Sequence, residues 1–332
     1  MNKLNRILAA ILILQLIAVT VVLWPRRTPS AAEGTPLFSG IEVEHIVGLT
    51  IASADSQSIQ LAKRNGDWVL PTVDDYPCLE DKVPNLLTKI LGLKGSRLVA
   101  QTSSSHKRLR VASNDFERRV EFELDDGTRH LLYLGTSPSF RAIHVRADDQ
   151  NQVYLVSDLT LQDAGARASD WINREYFSIP TDQIIALMLE NQNGRFEFEK
   201  EGDIWTMKGL SAGETLDQDR FKTLVNRAAL ITLTEPLGKT EKETYGLQQP
   251  SAVITLRTHS NETGDRTYVL MVGAKDTTDN SYIVKSSESQ YYVRVSEFTV
   301  KEFVEKTREG FLQLPPTPTP TPEASPEATP QS

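Results

Sequence analysis

Two stretches of the chain carry the same order of apolar and polar positions. In IQLAKRNGDWVL, residues 59–70, apolar residues fall two apart, a basic pair follows, and a tight polar turn leads into a tryptophan. FEFEKEGDIWTM, residues 196–207, repeats the pattern. Period-two alternation marks a strand with one buried face, and Asn65-Gly66 and Gly202-Asp203 are turn chemistry between paired strands. The period then lengthens. In the region of VPNLLTKILGL, residues 83–93, the side chains of Leu79, Val83, Leu86, Leu87, Ile90 and Leu91 share one helical face behind Glu80 and Asp81. RFKTLVNRAALITL, residues 220–233, places Phe221, Leu224, Val225 and Ala228 likewise behind Asp217 and Asp219. Carboxylates at the start of a helix complement its dipole, so both segments predict amphipathic helices with one buried side.

The correspondence continues. VEFELDDGTRHLLYLG, residues 120–135, and AVITLRTHSNETGDRTYVLMVG, residues 252–273, each predict a hairpin that closes on a glycine, Gly135 or Gly273. VYLVSDLTL, residues 153–161, pairs with YYVRVSEFTV, residues 291–300. Trp68 and Trp205 are 137 positions apart, Gly135 and Gly273 138, and Ser157 and Ser296 139. The expected fold class is therefore α+β: two tandem similar domains, 42–177 and 178–312, each an antiparallel sheet packed with one main helix. Trp68, Trp205, Gly135 and Gly273 are its structural landmarks. The tryptophans are expected to anchor the cores, the alternative being exposed platforms for a sugar or peptide.

Outside the repeats the pattern changes twice. Residues 7–24 form an apolar run interrupted only by Gln15 and Thr20, near the lower length limit for a membrane-spanning helix. Lys3 and Arg6 precede it, within a cytoplasmic N-terminus at 1–6, and Trp24 and Arg26-Arg27 border the linker 25–41. These flanks favour an uncleaved anchor with the rest of the chain extracytoplasmic. SAAE at residues 30–33 keeps a cleaved signal peptide open as the alternative. No cysteine follows closely enough for a lipoprotein anchor. At the other end, 313–332 is Pro/Thr-rich and lacks large apolar residues after Leu314, so it is expected to be a disordered tail, a spacer or a docking strand.

Composition narrows the chemistry. The 332 residues carry a formal charge of -8 without a basic stripe, which argues against a nucleic-acid partner. The single cysteine, Cys78, has no disulfide partner within the chain. His45, His106, His130, His144 and His259 lack metal-ligand spacing, so no metal or cofactor is expected. Ser104 and Lys107 fit the Ser-x-x-Lys pair of penicillin-recognising hydrolases, but without that family's other two elements. Asp125-Asp126-Gly127 is explained by a hairpin turn, and GLKGSR at 92–97 lacks the ending of a phosphate loop. No catalytic residue emerges.

The strand, turn and W-x-L/M series, YGLQQPSAVITL at 245–256 and DWINREYFSIPTDQIIALMLE at 170–190 are similar to the family known as domain of unknown function 4340 (DUF4340). In the first repeat HKRLRVASNDFERRVEF, residues 106–122, stands where the family pattern has Tyr-Gly-Leu-x-x-Pro, and it lacks the proline. The resemblance implies an envelope protein, with some members resembling auxiliary parts of transporters of the gliding-motility type, and it supplies no catalytic residues. The expected function is thus a membrane-anchored, extracytoplasmic, non-catalytic scaffold or binding subunit of a bacterial envelope assembly, auxiliary to an ABC-type transporter. Its expected partners are membrane lipid, through the N-terminal helix, and an envelope protein. The alternatives are an envelope hydrolase with an unrecognised site and a cell-wall or polysaccharide-binding protein.

Overall fold

The computed structural model of the chain describes Gln15 and residues 34–313 with the exception of Thr263. The expected anchor at 7–24 and the Pro/Thr tail lie outside these residues, Gln15 and Gln313 aside. Among the described residues no helix is long and apolar enough to cross a membrane. The chain divides into two compact units, Met1–Pro71 with Pro77–Trp171 and Thr72–Tyr76 with Ile172–Ser332. The main boundary thus falls a few residues before the 177/178 junction drawn from the repeat.

In the first unit, β1 (Ile46–Ser53), β2 (Ser58–Arg64) and β3 (Asp67–Leu70) form a meander. Asn65 and Gly66 both take positive φ, 52° and 100°, in the two-residue turn that joins β2 to β3. Such left-handed turns match the twist of paired strands, and an Asn-Gly pair adopts them at low cost. Helix α1 (Lys82–Leu91) follows, then β4 (Leu98–Ala100), β5 (Arg118–Leu124), β6 (Arg129–Leu134), β7 (Ala142–Ala147) and β8 (Val153–Ser157). These eight strands lie wholly within the unit, in the spatial order β3-β2-β1-β5-β6-β7-β8-β4, each neighbouring pair antiparallel. Helix α1 buries Val83, Leu86, Leu87 and Ile90. Leu79 departs from the sequence expectation: it lies ahead of the helix and is 42% exposed.

The second unit contains β9 (Ile184–Asn191), β10 (Gly194–Glu201), β11 (Ile204–Met207), helix α2 (Gln218–Ala229), β12 (Glu235–Pro236), β13 (Ala252–Ser260), β14 (Gly264–Lys275), β15 (Tyr282–Ser286), β16 (Tyr292–Val295) and helix α3 (Glu297–Glu305). Its sheet runs β11-β10-β9-β13-β14-β15-β16-β12. Helix α2 stops at Ala229, before the end of the 220–233 segment, because Leu230–Thr232 is a short strand that pairs with Glu175–Ser178. Asp217 caps its start, its carboxylate accepting a hydrogen bond from the Arg220 backbone N–H at 3.1 Å. Helix α3 was not legible in YYVRVSEFTV. It buries Val300, Phe303 and Val304, packs on β9 and β13, and gives this unit a second helix rather than one.

The internal registers of the two sheets run in step. Leu61, Leu49 and Phe122 lie side by side across β2, β1 and β5; Phe198, Leu187 and Leu256 do so across β10, β9 and β13. A bulge interrupts the first ladder between Ile46 and Gly48 and the second between Ile184 and Ala186. The spacing between matching positions is not constant, however. It is 138 from Leu49 to Leu187, 134 from Val120 to Ile254, and 138 again from Leu132 to Leu270. The difference is absorbed by the hairpin, whose strands are longer in the second unit.

Candidate functional site

Trp68 and Trp205 sit one residue into β3 and β11 and are 7% and 4% exposed, so neither ring presents a platform to solvent. The Trp205 ring meets Phe221 of α2 edge-on, with centroids 5.1 Å apart, and Phe221 in turn lies 4.1 Å from Phe198. Edge-on contact sets the positive rim of one ring against the negative face of the next. Gln218, at the first position of α2, accepts from the Trp205 N–H at 3.0 Å and donates to its carbonyl at 2.8 Å. One amide thereby satisfies both backbone groups of an edge-strand residue. In the first unit the Trp68 carbonyl instead accepts the Cys78 backbone N–H at 2.9 Å. Cys78 itself is half-buried, and desolvation pushes its thiol up to about 12, which leaves it protonated and unreactive near neutrality.

Gly135 and Gly273 hold a second pair of matching positions. A Cβ on Gly135 would stand 2.0 Å from the carbonyl oxygen of Leu109, and one on Gly273 2.0 Å from that of Tyr245. Their next neighbours are the side chains of Val111 and Leu247. The stretch Leu109-Arg110-Val111 therefore crosses the sheet end of the first unit as Tyr245-Gly246-Leu247 crosses that of the second. The middle residues share a left-handed backbone, φ 55° at Arg110 and 67° at Gly246. The sequence places the segment 106–122 opposite Tyr-Gly-Leu-x-x-Pro, and the structure fixes the alignment residue by residue, which was hidden because arginine stands where glycine is the conformationally free choice. The Arg110 guanidinium lies 3.1 Å from Glu117 and 3.5 Å from Asp115, yet its Nε–H is aimed at neither oxygen, so the contact is an ion pair without a hydrogen bond.

Each corner also holds a cation opposite the matching residue of the neighbouring strand: Arg146 opposite Tyr133, and Lys285 opposite Met271. Arg146 is buried, with its guanidinium 4.1 Å over the Tyr133 ring and its Nε donating to the Val111 carbonyl at 2.7 Å. Lys285 donates to the carbonyls of Ser286 and Ser289, and desolvation lowers its pKa. Both cations spend their donors on backbone carbonyls, which makes them braces for loops.

The remaining candidate groups are scattered. His45 pairs with Asp125 at 2.8 Å, and that carboxylate raises its pKa; His130 pairs with Asp148 at 3.2 Å and His259 with Asp265 at 2.6 Å. His144 bonds Thr136 and His106 the carbonyl of Asn151. The Ser104 hydroxyl bonds Thr102 at 2.9 Å, and Lys107 sits on the single helical turn His106–Leu109. Asp126 accepts from the Thr128 N–H in the β5–β6 turn. Among the described residues no group of three His, Cys, Asp or Glu side chains could hold a metal ion. Open clefts mark the surface of the first unit. One of about 440 Å³ lies beside the C-terminal end of α1, one of about 340 Å³ beside Arg110, and one of about 410 Å³ beside Asp170.

These features define a β-rich α+β protein whose matching positions carry packing and backbone geometry. Residues 68–250, more than half of the chain, match the family described as Domain of unknown function (DUF4340), and the chain belongs to that family. No curated protein and no solved structure matches it.

Proposed function

We propose that the chain is a membrane-anchored, extracytoplasmic, non-catalytic scaffold or binding subunit of an envelope assembly, its two units arising by duplication of one α+β domain. The observation that carries this reading is what the two sheets have in common. They share a strand order, a bulge, a pair of buried tryptophans and a pair of crowded glycines. Apart from the corner cations Arg146 and Lys285, their polar groups are taken up by turns, caps and ion pairs that differ from one unit to the other. A duplicated domain that keeps its packing while its polar surface diverges is suited to holding partners in place. The apolar run at 7–24 supplies the tether, with membrane lipid as one partner and an envelope protein, such as an ABC-type transporter, as the other.

Fusing alkaline phosphatase after Pro315 tests the topology. Active enzyme is expected, because a single span with Lys3 and Arg6 on its inner side leaves the fused enzyme outside the cytoplasm. An inactive fusion, with a cytoplasmic reporter active at the same site, would refute it.

A further inference from the structure

We infer that the first unit docks onto the bilayer through anionic lipid headgroups, using the basic cleft beside α1 and the loop tip at Phe140–Arg141. This rests on the anchor reading above. The cleft, about 440 Å³, is lined by Lys89, Lys94 and Arg97, a concentration of positive charge on a chain whose net charge is -8. Lys89 is tied to Asp163 at 2.6 Å, and Asp158 stands in the opposite wall. Among the described residues no carboxylate comes within ion-pair distance of Lys94 or Arg97. Leu98 and Val99, next along the edge strand, are 42% and 40% exposed. Phe140 is 90% exposed with the Arg141 guanidinium 5.3 Å over its ring, two residues before Ala142 in the cleft wall. Exposed aromatic and aliphatic side chains beside free cations are the chemistry of a surface that meets lipid headgroups.

The chain's own route chooses between a membrane and an acidic peptide. Pro36 bridges to Lys94, and the Gly95 N–H donates to the Thr35 carbonyl at 2.9 Å, so the segment arriving from the apolar run lies against the cleft rim. Nine residues, 25–33, separate Trp24 from Gly34. Fully extended they reach about 30 Å. The cleft is therefore held close to whatever surface the span crosses. The second unit lacks the device. Its matching loop is tied down, with Asp276 and Ser281 bonded to Arg294 at 2.8 and 2.7 Å, and the strand registers put Thr232 and Glu235 where the first unit has Lys94 and Arg97.

The test uses the full chain with Cys78→Ser and Phe140→Cys, labelled at residue 140 with bimane and reconstituted into nanodiscs. In discs of phosphatidylglycerol and phosphatidylcholine the label should turn blue and be shielded from acrylamide, but not in phosphatidylcholine alone. Lys94→Gln with Arg97→Gln should lower the docked-to-undocked ratio about thirtyfold. Raised salt should weaken docking by screening. Both sites are exposed, so an unchanged circular dichroism spectrum is expected. A chain that co-elutes with the discs but is quenched equally in both lipids would overturn the docking proposal alone. A chain that does not co-elute would overturn the anchor reading with it. Shielding that requires added polyglutamate would assign the cleft to an acidic peptide and overturn the lipid.

Discussion

The two units fill the same positions with different chemistry. Where the first places Ile59, Leu61, Val83 and Trp171, the second places Phe196, Phe198, Phe221 and Phe311, around Trp68 in one and Trp205 in the other. All are buried. In the second unit four rings are linked by edge-on or tilted contacts, with Phe311 4.9 Å from Phe198 and 5.1 Å from Phe196. In the first, the indole of Trp171 is buried and donates from Nε1 to the Gly165 carbonyl at 2.9 Å. The backbone contact beneath each is the same: the Leu79 N–H donates to the Trp171 carbonyl at 2.8 Å, and that of Asp217 to the Phe311 carbonyl at 2.8 Å. The spacing of buried positions and a few backbone contacts hold this arrangement, while residue volumes are traded among neighbours.

The largest effect expected is at the tryptophans. Trp205→Ala should cost about 3–5 kcal/mol, because it removes an indole from a packed aromatic cluster, and Trp68→Ala should fall toward the lower end of that range. Hydrogen exchange on the full chain in detergent reads each unit separately. Loss of protection confined to 184–312 for Trp205→Ala, and to the first unit for Trp68→Ala, is the expected result. Protection unchanged in both variants would remove the tryptophans from the two cores.

Next come the glycines. Gly135→Ala and Gly273→Ala each drive a methyl group into a backbone carbonyl and should cost similar amounts, about 1–3 kcal/mol. A cost in only one unit would break the equivalence of the two corners. The crossing segment sharpens it. Gly246→Ala should cost about 1–2 kcal/mol, since the new Cβ must sit in a left-handed backbone and 3.0 Å from Ala274. Arg110→Gly relieves that backbone strain while losing the contacts with Glu117 and Asp115, and should leave stability within about 1 kcal/mol of the parent.

The smallest effect is pH-dependent. Arg308 holds Glu214 in a bidentate pair at 2.8 and 2.6 Å and depresses its carboxyl from 4.5 to about 2. A depressed folded-state pKa gives stability that is fully present above 4.5 and lost as pH falls from there toward 2. The second unit should therefore lose stability through that window, and Glu214→Gln should flatten this part of its acid-unfolding profile. An unchanged profile would leave Arg308 without a role in holding the Phe311 segment.

Much of this was legible in the sequence because it depends on spacing. The alternation of 59–70 and 196–207 appears as β2–β3 and β10–β11, and α1 and α2 bury the expected faces except that Leu79 is exposed and Leu91 only half-buried. Three features were hidden for physical reasons. Within the segment 106–122 the residue-by-residue match of Leu109-Arg110-Val111 to Tyr245-Gly246-Leu247 is masked by an arginine in a backbone conformation that favours glycine. Helix α3 follows directly on the alternating β16, and its β-branched Thr299 and Val300 suit either state. The longer hairpin of the second unit shifts the spacing to 134 within β13, which only the strand register reveals. The basic cleft was hidden as well: Lys89, Lys94 and Arg97 are ordinary surface residues in sequence, brought to one cleft with Ala142 and Ser157 by the β7–β8 pairing.

The central claim is that one domain occurs twice, and an experimental structure of the chain tests it most directly. Superposing 42–171 on 180–312 should bring Trp68 onto Trp205, Gly135 onto Gly273 and the left-handed Arg110 onto Gly246, with each sheet in the strand order found here. A different strand order in either unit, or an Arg110 with negative φ lying away from Gly135, would contradict it.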